Sequence, residues 1–157
     1  SNQTPLYFCR MQSISTQQAP NPVGSYPHAR RVGNLLFLSG IGPRAAGTDA
    51  SDPRVPGLSL DKNGNFMAFD FAAQVHQVMA NVAAVLQASG ADWQDVVDVT
   101  VFLTHMQRDF HTFNQIYAEY MAHLDPKPCR TTVEVTALPT AIAIELKCIA
   151  VVPERAS

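Results

Sequence analysis

The chain has 157 residues, 46% of them hydrophobic and 15% charged, which is the composition of one globular domain and not of a disordered segment. A formal net charge of −2 and a pI near 6.2 leave no basic stripe to release counterions from a nucleic acid. The three cysteines (Cys9, Cys129 and Cys148) form no CxxC pair, HExxH is absent, and no apolar run reaches bilayer length. These features argue against a zinc site and a membrane-spanning helix, and they favour a reduced, cytoplasmic compartment.

The opening "SNQTPLYFCRMQ" lacks the basic end and apolar core of a secretory signal. Residues 1–20 are expected to be disordered, leaving residues 21–157 as a single domain. A strand is expected within "GSYPHARRVG", turning at Val32 to Asn34, and a central strand in "NLLFLSGIG" (34–42), an apolar run ended by glycines. Pro43 to Asn65 is rich in Gly, Pro, Ala and Asp and is expected to be one long loop.

"FDFAAQVHQVMANVAAVLQASG" carries Val75, Val78, Met79, Val82, Val85 and Leu86 at helical spacing, with Asp70 as N-cap and Gly90 just past the C-terminus. "DVVDVTVFL" reads as a strand with Val97, Val99, Val101 and Leu103 on one face. "RDFHTFNQIYAEYMAHL" reads as a second helix with Phe110, Phe113, Ile116, Tyr117 and Tyr120 as its stripe. "RTTVEVTAL" and "AIAIELKCIAVV" close the chain as two strands. The order β-β-α-β-α-β-β places two helices on one face of a mixed sheet. Its other face would need cover, and the low charge fits subunits of a symmetric oligomer.

Arg130 and Glu145 stand out chemically. Arg130 opens a strand with no carboxylate beside it. Its planar fork suits a ligand carboxylate, with a rim ion pair to a surface Glu as the other reading. Glu145 lies among apolar neighbours, and strand parity groups it with Ala143, Lys147, Ile149 and Val151. Burial there would raise its pKa toward that of a general acid or base; a surface pair with Lys147 is the alternative. Tyr26 and His28 could contact a ligand or simply occupy a turn, the imidazole in solvent. Ser39 and Gly40 end a strand where backbone can approach a ligand, or where the strand merely turns. Asn114 interrupts the aromatic face of the second helix as a ligand contact or a core amide. The other histidines show no metal spacing and read as solvated or capping.

In order and spacing these stretches resemble the Rid (reactive intermediate deaminase, RidA-type) family from about Pro22 to Val152. The resemblance rests on the "VGSYPHA" turn, the strand ending "LLFLSG", "FNQIYAEYM", "PCRTTVEVTALP" and "AIAIELKCIAV". It implies a homotrimer of chorismate-mutase-like α+β subunits with a cleft at each subunit interface. It also implies hydrolysis of imines or enamines to ketones and ammonia, without metal or organic cofactor. By that resemblance Arg130 clamps the substrate carboxylate, Glu145 positions or activates water, and Tyr26, Ser39, Gly40 and Asn114 line the cleft.

The chain departs from the common pattern at Thr132, where many relatives carry Cys, at Ser25, Pro27, His28 and Ile41, and in the longer 43–65 loop. Its pattern is most similar to the 2-aminomuconate deaminase branch of bacterial aromatic catabolism. The implied substrate there is an enamine with a carboxylate at each end, converted to 4-oxalocrotonate. A second carboxylate needs a second reader, and Arg44 and His28 are the available cations, although Arg44 alone would read as a loop arginine in solvent. A general deaminase of small 2-imino acids needs only Arg130. A non-catalytic, chaperone-like binding trimer would need neither Arg130 nor Glu145.

Overall fold

The computed structural model describes residues 11–49, 51 and 54–152. Eight strands and two helices follow in the order β1 (Met11–Ile14), β2 (Ala29–Val32), β3 (Leu35–Leu38), β4 (Leu58–Leu60), β5 (Phe66–Phe69), α1 (Phe71–Ala88), β6 (Val96–Leu103), α2 (Met106–Met121), β7 (Cys129–Glu134) and β8 (Ile144–Val151). Six strands form one mixed sheet in the order β1-β2-β3-β8-β6-β7. All neighbours are antiparallel except β6 and β7, the pair that α2 connects. This is the expected mixed α+β architecture.

The helices form where the hydrophobic period requires them. In α1, Val75, Val78, Met79, Val82, Val85 and Leu86 are all fully buried, each stabilising the fold by about 1.5–3 kcal/mol relative to exposure. The Asp70 carboxylate accepts the Ala73 amide at 3.0 Å, capping the first turn. At the other end Gly90 takes φ +76°, the left-handed conformation that closes a helix. α1 packs on α2 and β8, and β6 and β8 supply the opposing core through Val99, Val101, Leu103, Ile144, Leu146, Cys148 and Ala150.

Three expectations are corrected. Met11–Ile14 pairs with β2, so part of the segment expected to be disordered belongs to the sheet; residues 1–10 lie outside those described. The 43–65 segment is not one loop, since β4 and β5 make a hairpin turned on Asp61, whose Oδ1 accepts the Asn63 and Asn65 amides. Val97 is exposed, because a bulge between Val96 and Asp98 shifts the register and puts Val96 in the core instead. In the sheet β6 lies between the last two strands, β8 and β7.

Helices cover one face of the sheet and leave the other bare. On the bare face Val32, Leu35 and Val151 form one cross-strand row, and Phe37 pairs with Ile149 in the next. Val32, Leu35, Phe37 and Val151 are exposed. Among the described residues no helix is long and apolar enough to cross a membrane.

Candidate functional site

The Arg130 side of the site is built by β7 and α2. Arg130 pairs in register with Val99, whose side chain is buried under the helices, so Arg130 lies on the helix side of the sheet. There its guanidinium carbon sits 4.9 Å from the ring centre of Tyr117, 5.4 Å from Phe113 and 6.0 Å from Phe110. All three distances are within cation–π range. The rings come from one face of α2, three and four residues apart. Among the described residues Arg130 makes no hydrogen bond and no ion pair, so none of their carboxylates forms the rim pair.

Met106, Phe110, Arg130 and Thr132 line a shallow cleft of about 430 Å³. The Thr132 Oγ1 and Tyr117 hydroxyl are buried and have no hydrogen-bond partner among the described residues. Burial pushes the Tyr117 phenol up to about 12 against the pull of the Arg130 charge, so it stays protonated.

The Glu145 side lies on the opposite, bare face. Glu145 pairs with Phe102 on β6, and Phe102 pairs in turn with Val133 on β7. Arg130 is therefore three residues along β7, about 10 Å, and two strand spacings of about 4.8 Å away, with its side chain on the other face. A single subunit does not bring the two together.

Glu145 is half-buried, and desolvation raises its pKa above the ordinary carboxylate range. The expected surface pair with Lys147 does not form; the Lys147 ammonium donates to the Leu38 carbonyl instead. Gly40 explains the carboxylate's position. A Cβ there would lie 2.9 Å from both Cδ and Oε2 of Glu145, so the carboxylate can hold this position only while residue 40 carries no side chain. The Ile41–Leu146 bridge fixes that approach.

Tyr26, His28, Ser39, Gly40 and Arg44 gather around a small cavity of about 30 Å³. Tyr26 is exposed. The Ser39 hydroxyl donates to the Pro27 carbonyl at 2.6 Å, tying the tyrosine turn to the end of β3. His28 corrects the expectation of a solvated imidazole, for it is buried. Its Nδ1 accepts the Thr16 amide at 3.1 Å, which leaves Nε2 as the donor to the Pro20 carbonyl at 2.7 Å. Both nitrogens are engaged with backbone, so His28 holds the loop before β2 and is not a free cation for a ligand. Arg44 is also buried, at 8% exposure, against the solvated loop arginine expected. Asn114 is exposed on α2, outside the lining of either cleft, and is no core amide. Among the described residues no cluster of three or more metal-ligating side chains occurs.

Two buried amides on α1 position the Glu145 side, and sequence reasoning missed both. Gln74 accepts the Ala143 amide at 2.9 Å, just ahead of β8. Asn81 donates to the carbonyls of Gly42 at 2.9 Å and Arg44 at 2.8 Å. They are seven residues apart and so share a helix face. Their only signal in the sequence is a polar residue within each of two turns of a dense apolar run.

Comparison with known proteins agrees with this architecture. The family model described as Endoribonuclease L-PSP matches residues 16–152. A RutC family protein of Pyrococcus horikoshii is 39% identical over 137 residues, covering 87% of this chain and 94% of the relative. The chloroplastic Reactive Intermediate Deaminase A of Arabidopsis thaliana is 37% identical over 141 residues, covering 90% of this chain and 66% of the relative. The crystal structure of E. coli TdcF with bound serine superposes with a TM-score of 0.74 at 29% identity, covering 89% of this chain and 98% of that one.

Proposed function

The chain belongs to the Rid (L-PSP) family, and from that premise we propose that it is a deaminase hydrolysing imines or enamines of 2-amino acids to 2-oxo acids and ammonia. The observation that carries this reading is Arg130: a half-buried guanidinium held on three aromatic rings, with no carboxylate partner among the described residues. Its acceptor is then the substrate carboxylate, bound through two charge-assisted hydrogen bonds. The relative named as a reactive intermediate deaminase and the fold neighbour carrying an amino acid support the same chemistry.

In the proposed reaction the enamine takes a proton at carbon and becomes the imine. Water adds to the C=N carbon, and the nitrogen leaves as ammonia as the C=O forms. In this reading Glu145, its pKa raised by desolvation, accepts the proton of the attacking water and returns one to the leaving nitrogen. Because Arg130 and Glu145 lie on opposite faces of one sheet, the site needs Arg130 of one subunit and Glu145 of another. The bare apolar rows through Val32, Leu35 and Val151 supply surface for such an assembly, and we assign it as a homotrimer with interfacial sites. Within this chemistry the substrate assigned is 2-aminomuconate, the product 4-oxalocrotonate. RNA cleavage finds less support, since a net charge of −2 offers no electrostatic track for a polyanion.

An ammonia-release assay comparing 2-aminomuconate with 2-iminobutanoate tests the reading. Arg130→Ala should lose about 10²–10³-fold in kcat/KM, the value of a charged bidentate contact, with assembly state and melting temperature retained. Full activity in that variant would remove the clamp. Turnover of 2-iminobutanoate alone would leave a general 2-imino acid deaminase, and turnover of neither, with ligand binding intact, a binding protein.

A further inference from the structure

The cavity beside Gly40 contains a cation that the proposed reaction does not use. Arg44 lines it at 8% exposure. One guanidinium nitrogen, Nη2, donates to the Asn21 carbonyl at 2.6 Å. The other, Nη1, is buried and has no hydrogen-bond partner among the described residues. Asn81 fixes the backbone on which Arg44 sits through the carbonyls of Gly42 and Arg44 itself. Such rigidity suits a built subsite more than a loop side chain turned inward by chance. A buried charged donor without an acceptor is rare and unfavourable, so an acceptor belongs here.

The surroundings say which kind. No Asp or Glu lines the cavity, and Tyr26, Ser39 and the Gly40 backbone form its remaining polar wall. His28 does not compete for a ligand, because Thr16 and Pro20 engage both its nitrogens. Asp49 and Tyr26 offset the desolvation of Arg44 only in part. At about 30 Å³ the space admits one small polar group, not a whole substrate. Gly40 lines this cavity and also abuts the Glu145 carboxylate, so a group held by Arg44 would be the far end of a molecule reacting at Glu145.

We infer that Arg44 forms an anion subsite that binds the second carboxylate of the substrate, making the site selective for dicarboxylic over monocarboxylic imines. This rests on the deaminase reading, which supplies the first carboxylate at Arg130. The test is equilibrium binding of three stable product analogues, 2-oxobutanoate, 2-oxoglutarate and 2-oxoadipate, to the assembled wild-type protein and to Arg44→Met. Wild type should bind at least one dicarboxylate about 10- to 100-fold more tightly than 2-oxobutanoate, the range of one charged hydrogen-bonded contact. In Arg44→Met that preference should collapse while 2-oxobutanoate binding is unchanged.

The wild-type series needs no variant, so a failure of Arg44→Met to fold leaves the inference exposed. Binding of 2-oxobutanoate with no dicarboxylate preference would overturn the subsite alone. Equal weakening of all three ligands in Arg44→Met would make Arg44 a purely structural residue. Failure of all three to bind wild type would bring down the Arg130 clamp together with the subsite.

Discussion

The Arg130 and Glu145 sides of the site handle charge in opposite ways. Aromatic faces hold the Arg130 guanidinium, and among the described residues none of its N–H groups has an acceptor. Glu145 has a charge that burial makes costly, and backbone passing at Gly40 holds it in place. The first arrangement suits binding an anion; the second suits moving a proton. An arginine donor must be left unpaired until the ligand arrives, whereas a carboxylate base must be left poorly solvated.

Glu145→Gln should break this contrast most severely. Losing the proton acceptor is expected to lower kcat by about 10²–10⁴-fold while 2-oxo acid binding persists, measured by single-turnover ammonia release beside equilibrium binding. Wild-type kcat/KM should fall toward acid with an inflection above the ordinary carboxylate value of 4.5, and Glu145→Gln should lack that inflection. The stability consequence has a definite sign. A carboxyl whose pKa is raised in the folded state favours folding when protonated and loses that contribution as pH rises through the raised value. Glu145→Gln should therefore melt higher than wild type at neutral pH, and the difference should shrink as pH falls toward 4.5. A wild-type profile in the variant would remove Glu145 from the chemistry.

Gly40→Ala sharpens the comparison by disturbing only the Glu145 side. Its Cβ would stand 2.9 Å from the Glu145 carboxyl carbon, so the carboxylate must move. A displacement of about 1 Å can cost about 10²-fold in kcat, while 2-oxobutanoate affinity should change little. Unchanged kcat would mean that the position of Glu145 is not critical.

Thr132→Val probes the Arg130 side and should have the smallest effect. The Thr132 hydroxyl is buried without a partner, so its removal strands no group and should raise stability by up to about 1 kcal/mol. If that hydroxyl is kept for the substrate, KM should rise several-fold as the melting temperature rises. A variant that gains stability with KM unchanged would take Thr132 out of the site.

Much of this was legible in the residues, for identifiable reasons. The stripe, cap and terminator of α1 are local signals, and nothing in the tertiary structure competes with them. Strand parity put Glu145 with Lys147, Ile149 and Val151, on the face the helices leave bare, because a two-residue period survives any arrangement of neighbours. Other features depended on partners distant in sequence. His28 is a buried loop anchor because Thr16 and Pro20 fold over it. Arg44 is buried because Asn81, 37 residues away, holds its carbonyl. The β4–β5 hairpin hid in a Gly- and Asp-rich stretch, where three- and four-residue strands carry little pattern.

The sequence by itself determined the two helices and the longer strands, the main core stripes and the two residues with unusual chemistry, because local periodicity and side-chain identity suffice for those. Only the tertiary structure decided that β6 separates β7 from β8, and, through the register of the three strands, that Arg130 and Glu145 occupy opposite faces and cannot meet within one subunit. Strand order follows from long-range pairing and the packing of two helices over one face, and no local stretch of the chain encodes it.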